Sequence, residues 1–116
     1  MVVNRQKRVL LIDDERLILD IYKAFLEEHD VVVDICESGL EAVNYVTNNK
    51  YNLIICDMLM PGKSGLNTVN AIVKVDPKVK VLIITGYEQT AYLRGHANIV
   101  DVLSKSCHLK EILVYI

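Results

Sequence analysis

The chain has 116 residues, 52% of them hydrophobic and 24% charged, which suffices for one domain with a buried core. Its net charge of −2 comes from 13 basic and 15 acidic residues mixed along the chain, which argues against non-specific nucleic-acid binding. No apolar run approaches the roughly 18 residues of a membrane span, and residues 1–8 lack a secretory-signal pattern. We therefore expect a cytoplasmic protein without membrane contact, whose three cysteines are free thiols.

Short apolar runs and helical spacings alternate along the chain. Three of the runs are continuously apolar, as in strands covered on both faces, which is typical of parallel sheets. After the first run, apolar residues at i, i+3, i+4 and i+7 predict a helix that packs against the core, and the same spacing recurs after the fifth run. The predicted strands are residues 9–12, 31–33, 53–56, 79–84 and 99–103; the two apolar stripes are Ile18, Ile21, Tyr22 and Phe25, and Leu109, Ile112, Leu113 and Ile116.

Three further helices are predicted between the strands. The second opens on Ser38, whose hydroxyl can cap a free backbone N–H while Glu41 reaches back to the cap. The third carries an apolar stripe that ends before Pro77, and the fourth, within residues 87–96, has the weakest stripe and is expected to be marginal, mobile or partner-facing. Strand and helix thus alternate five times, which predicts a doubly wound α/β fold with helices on both faces.

The pattern fits one domain over residues 1–116, without repeats, low-complexity segments or linkers. Its last apolar stripe runs to Ile116 itself. This ending is typical of a domain that has been truncated or excised from a longer protein.

Polar residues follow four of the five predicted strands. Open parallel sheets bind ligands beyond the carboxyl ends of their strands, so these residues are expected to converge on one edge. Each alone has an ordinary explanation as a helix cap, a turn or a solvated side chain. Their joint occurrence on one edge indicates a site. The residues are Asp13 and Asp14 after the first strand, Asp57 after the third, Thr85 and Gly86 after the fourth, and Ser104 and Lys105 after the fifth.

Three gathered carboxylates would repel one another by about 4 kcal/mol per close pair at an effective dielectric near 20. A divalent cation relieves this repulsion, and an oxygen-only ligand set favours Mg²⁺, with Mn²⁺ as the alternative. Lys105 adds a mobile positive charge, Thr85 a hydroxyl donor, and Gly86 allows backbone N–H groups to approach an anion. A carboxylate nucleophile, a metal and a cation together describe formation of an aspartyl phosphate.

These residues resemble the motifs of response-regulator receiver domains in two-component signalling, and the likeness extends along nearly the whole chain. The carrying motifs are the acidic pair Asp13–Asp14, the stretch from Asp57 to Gly65 that matches Asp-x-x-Met-Pro-x-x-x-Gly, Thr85–Gly86, and Lys105. The resemblance implies a flavodoxin-like five-stranded parallel sheet of order 2-1-3-4-5. It also implies a signalling domain that accepts a phosphoryl group, not an enzyme, with slow self-dephosphorylation as its only turnover.

The resemblance further implies a role for each site residue. Asp57 accepts the phosphoryl group, and Asp13 and Asp14 hold Mg²⁺ together with Asp57 and the Leu59 carbonyl. Thr85 and Lys105 bind the phosphoryl oxygens, with backbone contacts from Gly86. The donor would be a phosphohistidine on a histidine kinase or a histidine phosphotransfer protein. The helix 4–strand 5–helix 5 surface would then contact an output domain, an effector protein or a second copy of the domain on phosphorylation.

Two positions depart from the family pattern. The family has an aromatic residue three positions before the lysine, and here Val102 takes that place, so Tyr87 or Tyr92 is the substitute expected to report the switch. The family also has a proline after the lysine, held by a cis bond, whereas this chain has Ser106. A cis bond before serine costs about 2.5–4 kcal/mol, so the bond is expected to be either trans or strained.

Two neighbours of the site are expected to set the lifetime of a phosphorylated state. Leu59 and Tyr87 lie two residues beyond Asp57 and Thr85 and would shield a phosphoryl group from water. We therefore predict slow self-hydrolysis.

Other classes of function stay open. The departures at Val102 and Ser106 would suit a receiver-like interaction module that is never phosphorylated. A Mg²⁺-dependent phosphohydrolase would need a further general acid and a substrate pocket, for which 116 residues leave little room. A dinucleotide-binding fold is disfavoured, because Asp13 and Asp14 stand where a glycine-rich loop is needed.

Overall fold

The computed structural model describes residues 6–57, 59–60, 63–86, 93 and 95–116. Five parallel strands form one sheet in the order β2-β1-β3-β4-β5, which confirms the predicted order and the doubly wound architecture. Within the described residues, no helix is long and apolar enough to cross a membrane. The strands are β1 Arg8–Ile12, β2 Val32–Cys36, β3 Leu53–Asp57, β4 Val81–Thr85 and β5 Ile99–Ser104.

The helices lie on both faces of this sheet. A two-stranded antiparallel hairpin, Leu59–Met60 with Lys63–Ser64, follows β3. The predicted fourth helix, with Tyr87 and Tyr92, lies outside the described residues except at positions 93, 95 and 96. The described helices are α1 Arg16–Glu28, α2 Gly39–Asn48, α3 Gly65–Val75 and the short C-terminal α4 Lys110–Leu113.

The alternation of side chains along the strands separates two cores. On β1, Leu10 and Ile12 join the core with α2 and α3, whereas Val9 and Leu11 join the core with α1 and α4. All five residues of β3 and of β4 are buried, as the continuous apolar runs predict for strands covered on both faces. The edge strand β2 is longer than predicted because it pairs with the whole of β1, from Arg8 to Ile12.

The predicted core-facing stripe of α1 is confirmed at Tyr22 and wrong at Ile21. The buried residues are Leu19, Tyr22 and Leu26, whereas Ile21 is 46% exposed. Ile18 and Phe25 are only partly buried against the same core. Two apolar stripes overlap in this segment, and the packing of α1 on the sheet selects between them. The C-terminal stripe is nearer the prediction, since Ile112 is fully buried in a helix shorter than expected.

The amino-terminal cap of α2 forms as predicted. The Glu41 N–H donates to the Ser38 hydroxyl oxygen at 3.2 Å. The Glu41 carboxylate accepts from the Glu37 N–H at 3.0 Å, one residue earlier than the predicted partner. This capping box satisfies two backbone donors that the helix would otherwise leave without partners.

Loss of this cap is expected to lower stability. Replacement of Ser38 by Ala should reduce the free energy of unfolding by about 0.5–2 kcal/mol, because the Glu41 N–H loses its acceptor. Ser38→Asp should retain most of the stability, since its carboxylate accepts the same bond. Urea unfolding of the three proteins measures the difference, and equal stability of Ser38→Ala and wild type would contradict the role of the cap.

Candidate functional site

The carboxyl ends of the central strands bring the predicted site residues together. Asp57 and Thr85 are the last residues of β3 and β4, and Asp13 directly follows β1. The Asp13 N–H donates to the Cys36 carbonyl at 3.2 Å, which extends the β1–β2 ladder and fixes the position of this residue. Asp13, Asp57 and Thr85 are 6%, 4% and 2% exposed, whereas Asp14 is exposed. Two carboxylates and a hydroxyl are therefore held at the bottom of the site.

The three aspartates form one acidic cluster. Asp13, Asp14 and Asp57 each offer a carboxylate oxygen, and these oxygens all lie within 4.8 Å of one another. Burial raises the pKa of Asp13 to about 6, and the nearby Asp57 charge adds to this effect, although the Glu15 N–H and Lys105 oppose it. A negative charge on Asp13 therefore costs free energy when no metal ion is bound, even with Lys105 nearby. An oxygen-only donor set of this kind fits a hard divalent cation such as Mg²⁺ or Mn²⁺.

Lys105 directly follows β5, and its side chain contacts three carboxylates. Its Nζ lies 3.1 Å from Asp57 Oδ2, 3.2 Å from Glu15 Oε1 and 3.5 Å from Asp13 Oδ2. Burial lowers the pKa of Lys105, but the hydrogen bonds to Asp57 and Glu15 and the charge of Asp13 outweigh this, so that the net pKa is raised. Lys105 is therefore cationic at neutral pH.

The bond between Lys105 and Ser106 is trans, because no peptide bond among the described residues is cis. Lys105 nevertheless reaches Asp57. Its backbone N–H donates to the Thr85 carbonyl at 3.0 Å, and this bond ties the end of β5 to the end of β4. A proline held by a cis bond is thus not needed to bring the lysine to the carboxylates.

Thr85, Gly86 and Leu59 complete the set of predicted residues. The backbone of Thr85 pairs with Ser104 in the sheet, and Gly86 follows at the exposed edge. A Cβ added to Gly86 would meet no atom within 4 Å, so the described part of the protein does not itself require glycine there. Leu59 begins the hairpin after β3, where its backbone pairs with Ser64.

Glu15 and Tyr22 are two neighbours of the site that the sequence did not assign to it, since Tyr22 was predicted only as a core-facing residue of the first helix. Glu15 is the one carboxylate partner of Lys105, among the three described, that is largely exposed. Tyr22 on α1 lines a cavity of about 20 Å³ together with Asp13, Asp57 and apolar side chains. The position of Glu15 directly after the acidic pair was an available signal. No sequence pattern placed Tyr22 beside the site, because its contact depends on how α1 packs.

The residue in the position expected for an aromatic switch is buried. Val102 is 7% exposed and packs in the core with α2 and α3. Because the residue is valine, no aromatic ring can rotate at this position. The proposed substitutes Tyr87 and Tyr92, like Met58, Pro61 and Gly62 of the motif after Asp57, lie outside the described residues.

This fold and this arrangement of side chains agree with comparisons to known proteins. Residues 9–116 match the family model described as response regulator receiver domain. The chain therefore belongs to the response regulator receiver domain family, a signalling family of two-component systems.

Individual relatives agree with this assignment. The chain is 29% identical over 108 residues to the transcription factor SKN7 of Candida albicans, covering 90% of this chain and 19% of that protein. It is 26% identical over 110 residues to the response regulator MprA of a Mycobacterium species, covering 91% of this chain and 47% of that protein. The chain thus spans less than half the length of both relatives.

A solved structure of similar size has the same fold. The response regulator TrrA of Thermotoga maritima, in complex with Mg²⁺-BeF, superimposes with a TM-score of 0.84. It is 30% identical, and the match covers 94% of this chain and 95% of that one. The receiver fold is therefore shared over almost the full length of both chains.

Proposed function

We propose that this domain accepts a phosphoryl group from a phosphohistidine onto Asp57, with Mg²⁺ held by Asp13, Asp14, Asp57 and the Leu59 carbonyl. The observation that carries the proposal is the pairing of the buried Asp57 carboxylate with Lys105 Nζ at 3.1 Å inside the three-aspartate cluster. The complex of TrrA with Mg²⁺-BeF supports the choice of metal. The oxygen-only ligand set of this chain also favours Mg²⁺, with Mn²⁺ as a substitute.

The transfer is a displacement at phosphorus. An oxygen of the Asp57 carboxylate forms a bond to phosphorus as the phosphorus–nitrogen bond breaks. The donor imidazole, which carries a proton on its other ring nitrogen, takes the electron pair of that bond and leaves as a neutral ring. Bound Mg²⁺ supplies positive charge that offsets the charge on the phosphoryl oxygens. Lys105 exchanges its bond to Asp57 for one to a phosphoryl oxygen, and the Thr85 hydroxyl donates to another. Gly86, which is exposed, would add backbone contacts to these oxygens.

The phosphorylated domain is proposed to act through a surface. This surface comprises the segment before β5, β5 and α4, which correspond to the predicted helix 4, strand 5 and helix 5. Its partner is an output domain, an effector protein or a second copy of this domain. The larger size of SKN7 and MprA supports an output partner. The donor is proposed to be a histidine kinase or a histidine phosphotransfer protein in the cytoplasm, and this segment itself is not proposed to bind nucleic acid.

The proposal is tested by intact-protein mass after incubation with acetyl phosphate and Mg²⁺. The wild type should gain the mass of one phosphoryl group, and a sample treated with a metal chelator should gain none. No gain under any condition would favour the interaction module that is never phosphorylated, with the acidic cluster retained for metal binding or stability.

The label is expected to persist, because Leu59 and Tyr87 flank the site in sequence and would limit access of water. After acetyl phosphate is removed, the phosphorylated fraction should decay over minutes or longer in the presence of Mg²⁺. A mass time course measures this decay. Loss of the label within seconds would contradict the shielding role of these two residues.

A further inference from the structure

Ser104 closes a tight turn around Lys105. The Cys107 N–H donates to the Ser104 carbonyl at 2.9 Å, a bond from residue i+3 to residue i that makes Lys105 and Ser106 the central residues of a β-turn. The Ser106 N–H donates to the Ser104 hydroxyl oxygen at 3.2 Å. The hydroxyl oxygens of Ser104 and Ser106 are also 2.8 Å apart. Ser104 therefore uses both its carbonyl and its side chain to hold the turn.

This turn fixes the backbone position and direction from which the Lys105 side chain extends. The Lys105 N–H is bound to the Thr85 carbonyl on one side, and Ser104 holds the next two residues on the other. A lysine side chain has several rotatable bonds, so a fixed backbone reduces the number of positions that its ammonium group can occupy. Here the ammonium group lies 3.1 Å from Asp57.

We infer that the Ser104 hydroxyl is a positioning element for Lys105, and that with Ser106 it orders a trans turn which delivers the lysine to Asp57. The inference rests on the proposed function only for its kinetic consequence. Serine side chains bond readily to backbone N–H groups two residues ahead, and such turns set local backbone direction. Ser104 touches neither phosphoryl group nor metal in this mechanism, so it acts through Lys105.

The kinetic test compares rates of phosphorylation by acetyl phosphate with Mg²⁺. Ser104→Ala should slow the rate about threefold to tenfold, as expected for loss of one hydrogen bond that orders a catalytic group. Ser104→Thr should be phosphorylated at the wild-type rate, because threonine keeps the hydroxyl. Ser106→Ala should have a smaller effect, because the Ser106 N–H still bonds to Ser104. Ser38→Ala is the matched control that lowers stability through the α2 cap and leaves the rate unchanged.

A double-mutant cycle separates positioning from general damage. In a Lys105→Ala background, Ser104→Ala should change the rate by less than about twofold, because the group that the turn positions is gone. An equal slowing in both backgrounds, or an unchanged rate for Ser104→Ala alone, would overturn the inference.

A second measurement does not depend on phosphorylation. Acetic anhydride should modify Lys105 in the wild type more slowly than Lys50, whose side chain is 91% exposed. In Ser104→Ala the modification of Lys105 should be about threefold faster relative to Lys50, measured by peptide mass, whereas unchanged relative reactivity would oppose the inference. If the wild type takes no phosphoryl group, the proposed function fails while this measurement still decides the role of Ser104.

Discussion

Asp57→Asn is expected to abolish phosphoryl uptake from acetyl phosphate. The amide has no anionic oxygen to attack phosphorus, and no other carboxylate in the cluster is both buried and paired with Lys105 as closely. The substitution keeps the size of the side chain and leaves an oxygen that can accept from Lys105, so the fold should persist. Intact-protein mass should show less than about one hundredth of the wild-type label, in line with loss of a nucleophile.

The matched control is Asp20→Asn on the exposed face of α1. Asp20 pairs with Arg16 at 3.1 Å, with both side chains more than half exposed, and such helix pairs contribute only about 0.3–0.5 kcal/mol. Asp20→Asn should therefore take up label at the wild-type rate. Full labelling of Asp57→Asn, with the label mapped to another residue by peptide mass, would show that the nucleophile was assigned wrongly.

Asp13→Asn is expected to make the metal-free protein more stable and less responsive to Mg²⁺. Burial raises the pKa of Asp13 from 3.8 to about 6, and this difference corresponds to about 3 kcal/mol of destabilisation when the carboxylate is charged. Asparagine removes the charge with little change in size. At pH 8 without metal, the variant should gain about 1–3 kcal/mol in free energy of unfolding.

The pH dependence follows from the direction of this shift. Below about pH 4, Asp13 is protonated in both the folded and unfolded chains, so the two proteins should be equally stable. Between about pH 4 and pH 6 the unfolded chain loses its proton first, and the wild type falls progressively behind the variant. Above about pH 6 the difference should be constant. Urea unfolding across this range measures it.

Magnesium should make the wild type more stable than Asp13→Asn. In the wild type, Mg²⁺ binding to the folded state raises the urea midpoint of unfolding. The variant lacks one of the three proposed carboxylate ligands, so its affinity for Mg²⁺ should be at least tenfold lower. The urea midpoint of unfolding, measured for both proteins at increasing Mg²⁺ concentration in calcium-free buffer, gives the two affinities. A less stable Asp13→Asn at pH 8 without metal would show that the charged Asp13 contributes favourably to the fold.

Much of the fold was predictable because burial imposes a pattern on the sequence. The continuous apolar runs of β3 and β4 indicated strands covered on both faces, and every residue of both is buried. The stripe on α1 was less predictable, because Ile18, Leu19, Ile21 and Tyr22 are all apolar or aromatic. Only the angle at which α1 packs on the sheet determined that Leu19 is buried and Ile21 exposed.

The convergence of the site was predictable for a related reason. In a parallel sheet the carboxyl ends of all strands lie at one edge, so Asp13, Asp57, Thr85 and Lys105 could be placed together from their positions after the apolar runs. The distances between these side chains could not be predicted from the sequence. Whether Lys105 reaches Asp57 depends on the turn from Ser104 to Cys107, whose hydrogen bonds join residues that no apolar pattern marks.

The pattern of residues along the chain was enough to establish the family, the strand order implied by that family, and which polar residues stand at the strand ends. The tertiary structure alone decided three things: the face that α1 buries, the pairing of Lys105 with Glu15 as well as with Asp57, and the trans bond before Ser106. Local patterns repeat with the period of a strand or a helix, so they can be read along the chain. Contacts between residues as far apart as Glu15 and Lys105 form only when the packed sheet brings their elements together.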